Sequence, residues 1–151
     1  MMSNVPQPVT TAIPHFRAEE LACKGSGEIR IDPRFVNKLI NLRNDWGRPL
    51  IPSSVCRSLA HNRAVAGHPR SLHLTKTYWP KLAGTAAADI RWGWWPESTK
   101  LEFARLAYKK GLSVGLHDIF CHIDLRTAAG LPQTVFLYGT WKGFSPSEVS
   151  K

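Results

Sequence analysis

Apolar side chains recur at Phe35, Leu39, Leu42 and Trp46, the three-to-four spacing that collects them on one face of an α-helix. Asp32-Pro33 stands just before them and Gly47 just after. Asp caps free backbone N–H groups, Pro suits a first turn, and Gly ends a helix in the left-handed region. A helix is therefore predicted between these signals. A second amphipathic helix is predicted over residues 96–110, with Leu101, Phe103, Ala104 and Ala107 inward, Lys100, Arg105 and Lys109 outward, and Gly111 as its cap. Residues 15–23 and 57–65 read as shorter helices. Strands are predicted at 49–55, interrupted by Pro52 and so at an edge or a bulge, and at 84–92, 113–117, 120–126 and 134–138. The stretches GHPRSLH and LTKTYWPKLAG read as loops.

These elements predict an α+β fold: a small antiparallel sheet flanked by helices. A chain of 151 residues with 43% hydrophobic content suits one core, and no internal repeat divides it. Residues 1–14, rich in Pro, Thr and Ser, are expected to form a flexible leader, and 15–151 a single domain. Eleven prolines and eleven glycines disfavour a long helical bundle.

A net charge of +9 favours anionic partners such as nucleic acid, acidic lipid or an anionic cell-wall polymer. No segment clusters Arg and Lys with base-reading side chains, so specific nucleic-acid binding is not expected. Cys23, Cys56 and Cys121 form no C-x-x-C pair, which excludes a four-cysteine zinc module, and buried free thiols are expected. The N-terminal residues show no basic region followed by an apolar run, and no stretch is long and apolar enough to span a bilayer. Synthesis in the cytoplasm without a signal peptide is the expectation.

Metal-capable side chains concentrate in three places: Ser71-Leu72-His73, Ala87-Ala88-Asp89, and Phe120-Cys121-His122-Ile123-Asp124. A catalytic zinc needs three protein ligands and one open position, a count that two imidazoles and a carboxylate satisfy. In a strand His122 and Asp124 share a face, with Cys121 and Ile123 opposite.

The order of segments resembles the zinc D-alanyl-D-alanine carboxypeptidase family of murein peptidases, relatives of the Hedgehog-like and lysostaphin-type metallopeptidases. Phe16 to Cys23 resembles the family's opening helix. Arg48 to Ser58 resembles the strand ending in a substrate-facing arginine. His61 to Gly67 followed by Ser71-Leu72-His73-Leu74 resembles the approach to the first ligand. Gly84 to Ile90 and Phe120 to Arg126 resemble the second and third ligand segments.

The resemblance implies one zinc held by His73, Asp89 and His122. Arg57 would bind a substrate carboxylate or polarise the scissile carbonyl, against the alternative of a structural ion pair with Asp89 or Asp124. Relatives carry an acid just before the last histidine ligand. Here Asp118 is the expected general base, Asp124 is its competitor, and Asp124 is otherwise expected to orient a zinc-bound imidazole. His73 and Asp89 stand sixteen positions apart, farther than the family pattern. The excess, residues 74–83, reads as an inserted loop that would bring Tyr78, Trp79 and Lys81 to the substrate, with Ser71 beside them, or would displace Asp89.

The implied activity is hydrolysis of a peptide bond in peptidoglycan stem peptides, of D-Ala-D-Ala carboxypeptidase or endopeptidase type. The expected protein is a monomer acting on the cell wall, of phage-endolysin type, released through a holin. The alternative is a non-catalytic cell-wall peptide-binding module of the same fold.

Overall fold

The computed structural model describes residues 5–151. Helix α1 spans Ala18–Leu21, α2 Pro33–Trp46, α3 Leu59–Ala64, α4 Glu97–Lys109 and α5 Pro146–Val149. The strands are β1 (Pro52–Ser54), β2 (Ala87–Arg91), β3 (Ser113–Leu116), β4 (Phe120–Asp124) and β5 (Val135–Leu137). No helix among the described residues is long and apolar enough to cross a membrane.

Helix α2 forms where its punctuation places it. The Asp32 carboxylate accepts the Arg34 N–H at 2.9 Å, Pro33 occupies the first turn, and Gly47 closes the helix at φ 72°. Phe35, Leu39 and Leu42 are fully buried, each contributing roughly 1.5–3 kcal/mol of transfer free energy. Helix α4 packs on β3, and α2 packs on α4. Asp32 also accepts the Ala83 N–H and pairs with both Arg34 Nε and Nη2. Burial raises this carboxyl, but the Arg34 and Ala83 bonds outweigh it and hold the group below its ordinary value.

The sheet order is β1-β2-β4-β3-β5. The first four strands are antiparallel neighbours, as predicted, while β5 joins β3 in parallel. The sheet is therefore mixed. After β4 a short 3-10 turn, Arg126–Ala129, begins a connection past β3 to the outer edge, and this reverses the expected direction of the last strand. One face, carrying Ala88, Ile90, Cys121 and Ile123, is sealed in the core. The other carries Asp89, His122 and Asp124.

The segment expected to be a flexible leader is tied down from Val9. That residue exchanges backbone hydrogen bonds with Ile31 at 2.8 and 2.9 Å, and Ile13 packs in the core. The first four residues of the expected leader lie outside the described ones. All three cysteines are buried free thiols.

Candidate metal centre

Asp89 and His122 lie directly opposite each other across the β2–β4 ladder, and Ala87 opposes Asp124, so their side chains meet on one face. On the far side of β4, Gly115 opposes His122. A Cβ there would stand 2.5 Å from the Phe136 ring and 3.1 Å from His122 Cβ. Glycine thus lets Phe136 lie beside the imidazole, with ring centres 5.5 Å apart.

His73 arrives from the other direction, on the loop leading out of α3. The His73 carbonyl accepts Arg57 N–H at 2.9 Å and Thr85 Oγ1–H at 2.8 Å, and the Ser71 hydroxyl accepts His73 N–H at 3.1 Å. These bonds fix the backbone of the residue between the strand carrying Asp89 and the segment carrying Arg57. Residues 74–83 do not displace Asp89. Leu74, Thr75, Leu82 and Ala83 are buried, so the insertion is anchored at both ends and bulges sideways.

Hydrogen bonding sets the tautomer of both histidines. His73 Nδ1 lies 2.8 Å from the Val55 carbonyl, which can only accept, so Nδ1 carries the proton and Nε2 keeps its lone pair. That Nε2 is buried, makes no hydrogen bond, and stands 3.3 Å from Asp89 Oδ1. His122 Nε2 donates to Asp124 Oδ2 at 2.7 Å, turning Nδ1 to Asp89 Oδ1 at 3.0 Å. The three donor atoms lie within 4.8 Å of one another. Two nitrogens and a carboxylate oxygen at that separation, one of them a buried atom without a hydrogen-bond partner, fit a divalent zinc.

Asp124 is fully buried, and its two oxygens also take Arg126 N, Nε and Nη2 at 3.0, 3.0 and 2.7 Å. Burial raises this carboxyl, but the bonds from His122 and Arg126 outweigh it and lower the group below its usual value. Burial likewise opposes ionisation of Asp89. The two histidines against it, His73 first and then His122 with its hydrogen bond, outweigh burial and hold Asp89 well below the carboxylate range. For His122, burial disfavours the cation, yet the bonds to Asp124 and Asp89 push its value up to about 9.

The triad forms the floor of a cleft of about 730 Å³. Arg57 lines it and is held by three partners: Nη2 stands 3.5 Å from Asp89 Oδ2, Nε donates to Ser54 Oγ, and Nη1 donates to Asn62 Oδ1, both at 3.2 Å. Both sequence readings of this arginine therefore meet in one geometry, a cleft-lining guanidinium that is also paired with Asp89. Ser71 and Trp79 line the cleft as well. Tyr78 does not: it is exposed, and its ring lies under the Arg70 guanidinium at 5.1 Å.

The structure does not bring Asp118 to this centre. It is exposed in the turn between β3 and β4, beyond the end of the strand that carries His122, and its carbonyl accepts Lys100 Nζ at 3.4 Å. Asp89 and Asp124 are the carboxylates that line the cleft among the described residues. With Asp124 committed to His122 and Arg126, its place is behind the imidazole.

Asn62, Arg126 and Tyr138 were not foreseen from the sequence. Asn62 is buried, accepts from Arg57 and donates to the His68 carbonyl at 2.9 Å. A Cβ on Gly67 would stand 2.0 Å from Asn62 Oδ1, so a glycine is needed where the loop closes over it. The buried polar residue within Leu59–Ala64 and the glycine after it were the available signals. Tyr138 lines the cleft, and burial together with the Asp89 charge keeps its hydroxyl protonated well above the ordinary range.

The peptidase M15 family model matches residues 14–124, a span holding His73, Asp89, His122 and Asp124. Neither the curated proteins nor the solved structures compared with the chain include a match. The sequence segments, the α+β fold and the converging His-Asp-His donors agree with that match, and the chain belongs to the peptidase M15 family.

Proposed function

We propose that this protein hydrolyses a peptide bond in peptidoglycan stem peptides, using one zinc ion held by His73 Nε2, Asp89 Oδ1 and His122 Nδ1. The observation that carries the proposal is the convergence of these three atoms, with both histidine tautomers fixed, on the floor of an open cleft. A zinc bound there supplies Lewis acidity and a water of lowered pKa.

The chain's own residues do the rest. Asp124 holds the His122 ring with its Nε2–H bond, and Arg126 holds Asp124. Arg57, pinned by Ser54 and Asn62, presents its planar guanidinium to the cleft, suited to a substrate carboxylate or to the charge that builds on the scissile carbonyl. The Tyr138 hydroxyl keeps its proton and serves as a hydrogen-bond donor from the opposite wall. Trp79 and Phe136 give the cleft apolar sides against which peptide side chains can pack. The basic chain favours anionic cell-wall polymer, and lysis of the wall, with holin-mediated release of the enzyme, belongs to the same proposal.

Digestion of purified peptidoglycan followed by mass analysis of the fragments tests it. Release of new peptide termini by wild type, and none by folded His122→Ala, is expected. Undigested peptidoglycan after treatment with zinc-loaded protein would refute the hydrolase reading.

A further inference from the structure

Three arginines line the cleft, and their charges are not equally committed. Arg57 faces Asp89 and Arg126 is bound by Asp124. Arg70 has no carboxylate partner among the described residues, yet it is held in place. Its backbone is fixed, with the N–H donating to His68 Nδ1 at 3.0 Å and the carbonyl accepting Trp79 Nε1–H at 3.1 Å, and its exposed guanidinium lies 5.1 Å over the Tyr78 ring. The stacked ring holds one face of the guanidinium and leaves its in-plane donors free.

The segments that build the cleft walls supply few acids of their own beyond Asp89 and Asp124. No acidic residue occurs between Asp45 and Asp89, the stretch that builds α3 and both rim loops, or between Asp124 and Glu148, which builds the opposite wall. Lys76 and Lys81 stand exposed on the loop that carries Tyr78 and Trp79. An exposed guanidinium on a cleft wall, set over one aromatic ring beside two exposed lysines and without a carboxylate partner among the described residues, complements an anion brought by the substrate.

We infer that Arg70 is a specificity-determining residue that receives a carboxylate of the substrate distinct from any group bound at Arg57, so that the cleft selects acidic peptides. The inference rests on the peptidase reading above. It also gives the 74–83 insertion a role: Tyr78 and Trp79 form the bracket that holds Arg70 in place.

The test uses zinc-loaded protein and two synthetic stem peptides that differ at one acidic residue, free carboxylate in one and primary amide in the other. Wild type is expected to favour the carboxylate peptide by about tenfold, expressed mainly in KM, with the preference shrinking as salt rises. Arg70→Gln is expected to cleave the amide peptide like wild type and to lose the preference, and Arg70→Lys to restore part of it. Equal cleavage of the two peptides by wild type, or an Arg70→Gln defect that is the same for both, would overturn the inference. If neither peptide is cleaved, the hydrolase reading fails, and calorimetric binding of the two peptides decides the role of Arg70 separately. Equal affinities for carboxylate and amide would refute it, and a preference abolished by Arg70→Gln would support it.

Discussion

Replacing Asp124 with Asn keeps the shape of the side chain and changes one acceptor oxygen into a donor nitrogen. In the native protein Oδ1 accepts Arg126 N and Nε, and Oδ2 accepts Arg126 Nη2 and His122 Nε2. The two Arg126 bonds at Oδ1 keep the remaining oxygen of Asn in that place, which puts its NH2 against His122 Nε2. Two donors cannot face each other, so the imidazole must shift its proton from Nε2 to Nδ1, the atom that faces Asp89. The lone pair needed for the metal is lost, and zinc affinity is expected to fall about 10- to 100-fold. Leaving buried His122 and half-buried Arg126 without the carboxylate costs roughly 1–3 kcal/mol of stability, an appreciable share of a typical domain's 5–15 kcal/mol. Zinc affinity, measured by competition with a chromophoric chelator on protein shown folded by circular dichroism, reads the effect directly. A folded Asp124→Asn protein with wild-type zinc affinity would refute the reasoning, because it would mean that Asp124 does not set the His122 tautomer.

Asp118→Asn is expected to leave zinc affinity and peptidoglycan hydrolysis at wild-type levels, since the residue is exposed in the β3–β4 turn; a loss of hydrolysis at unchanged zinc content would contradict this placement. Asn62→Ala removes an anchor of Arg57 and is expected to raise KM several-fold while zinc content stays unchanged, a split that steady-state kinetics with parallel metal analysis will show. Asp32→Ala deletes the cap of α2 together with the exposed Arg34 pair and the buried Ala83 bond, and urea denaturation should show a loss of roughly 2–4 kcal/mol, from the cap and the Ala83 N–H. Because the folded Asp32 carboxyl sits below its unfolded value, its contribution is present above about pH 4 and is lost as pH falls through the folded value; Asp32→Ala should therefore flatten the acid limb of the stability curve.

Helix α2 was legible because each of its boundaries carries a residue with a backbone reason to be there, Asp32 and Pro33 at the start and Gly47 at the end. The shared face of His122 and Asp124 was legible from the two-residue period of a strand. Register was not: nothing local in either segment states that Asp89 sits opposite His122, and His73 joins them only because its loop backbone is bonded to Arg57 and Thr85. The placement of Asp118 failed for a related reason. Its distance in sequence from His122 is short, but the intervening residues include the start of an extended strand and carry it away from the metal-binding face. Tyr138 lay beyond the segments that resemble the family, just after a strand whose parallel addition to β3 depends on the path of the 126–134 connection. The insertion was seen, but whether it would cover the cleft or displace Asp89 depended on the burial of Leu74, Thr75, Leu82 and Ala83, which length and polarity do not reveal.

The metal content of the purified chain tests the His73–Asp89–His122 centre most directly. Wild-type protein exposed to zinc and then dialysed is predicted to retain one zinc per chain by plasma mass spectrometry, and folded His73→Ala, Asp89→Ala and His122→Ala proteins to retain far less. Wild-type zinc content in all three folded variants would contradict the assignment of the centre.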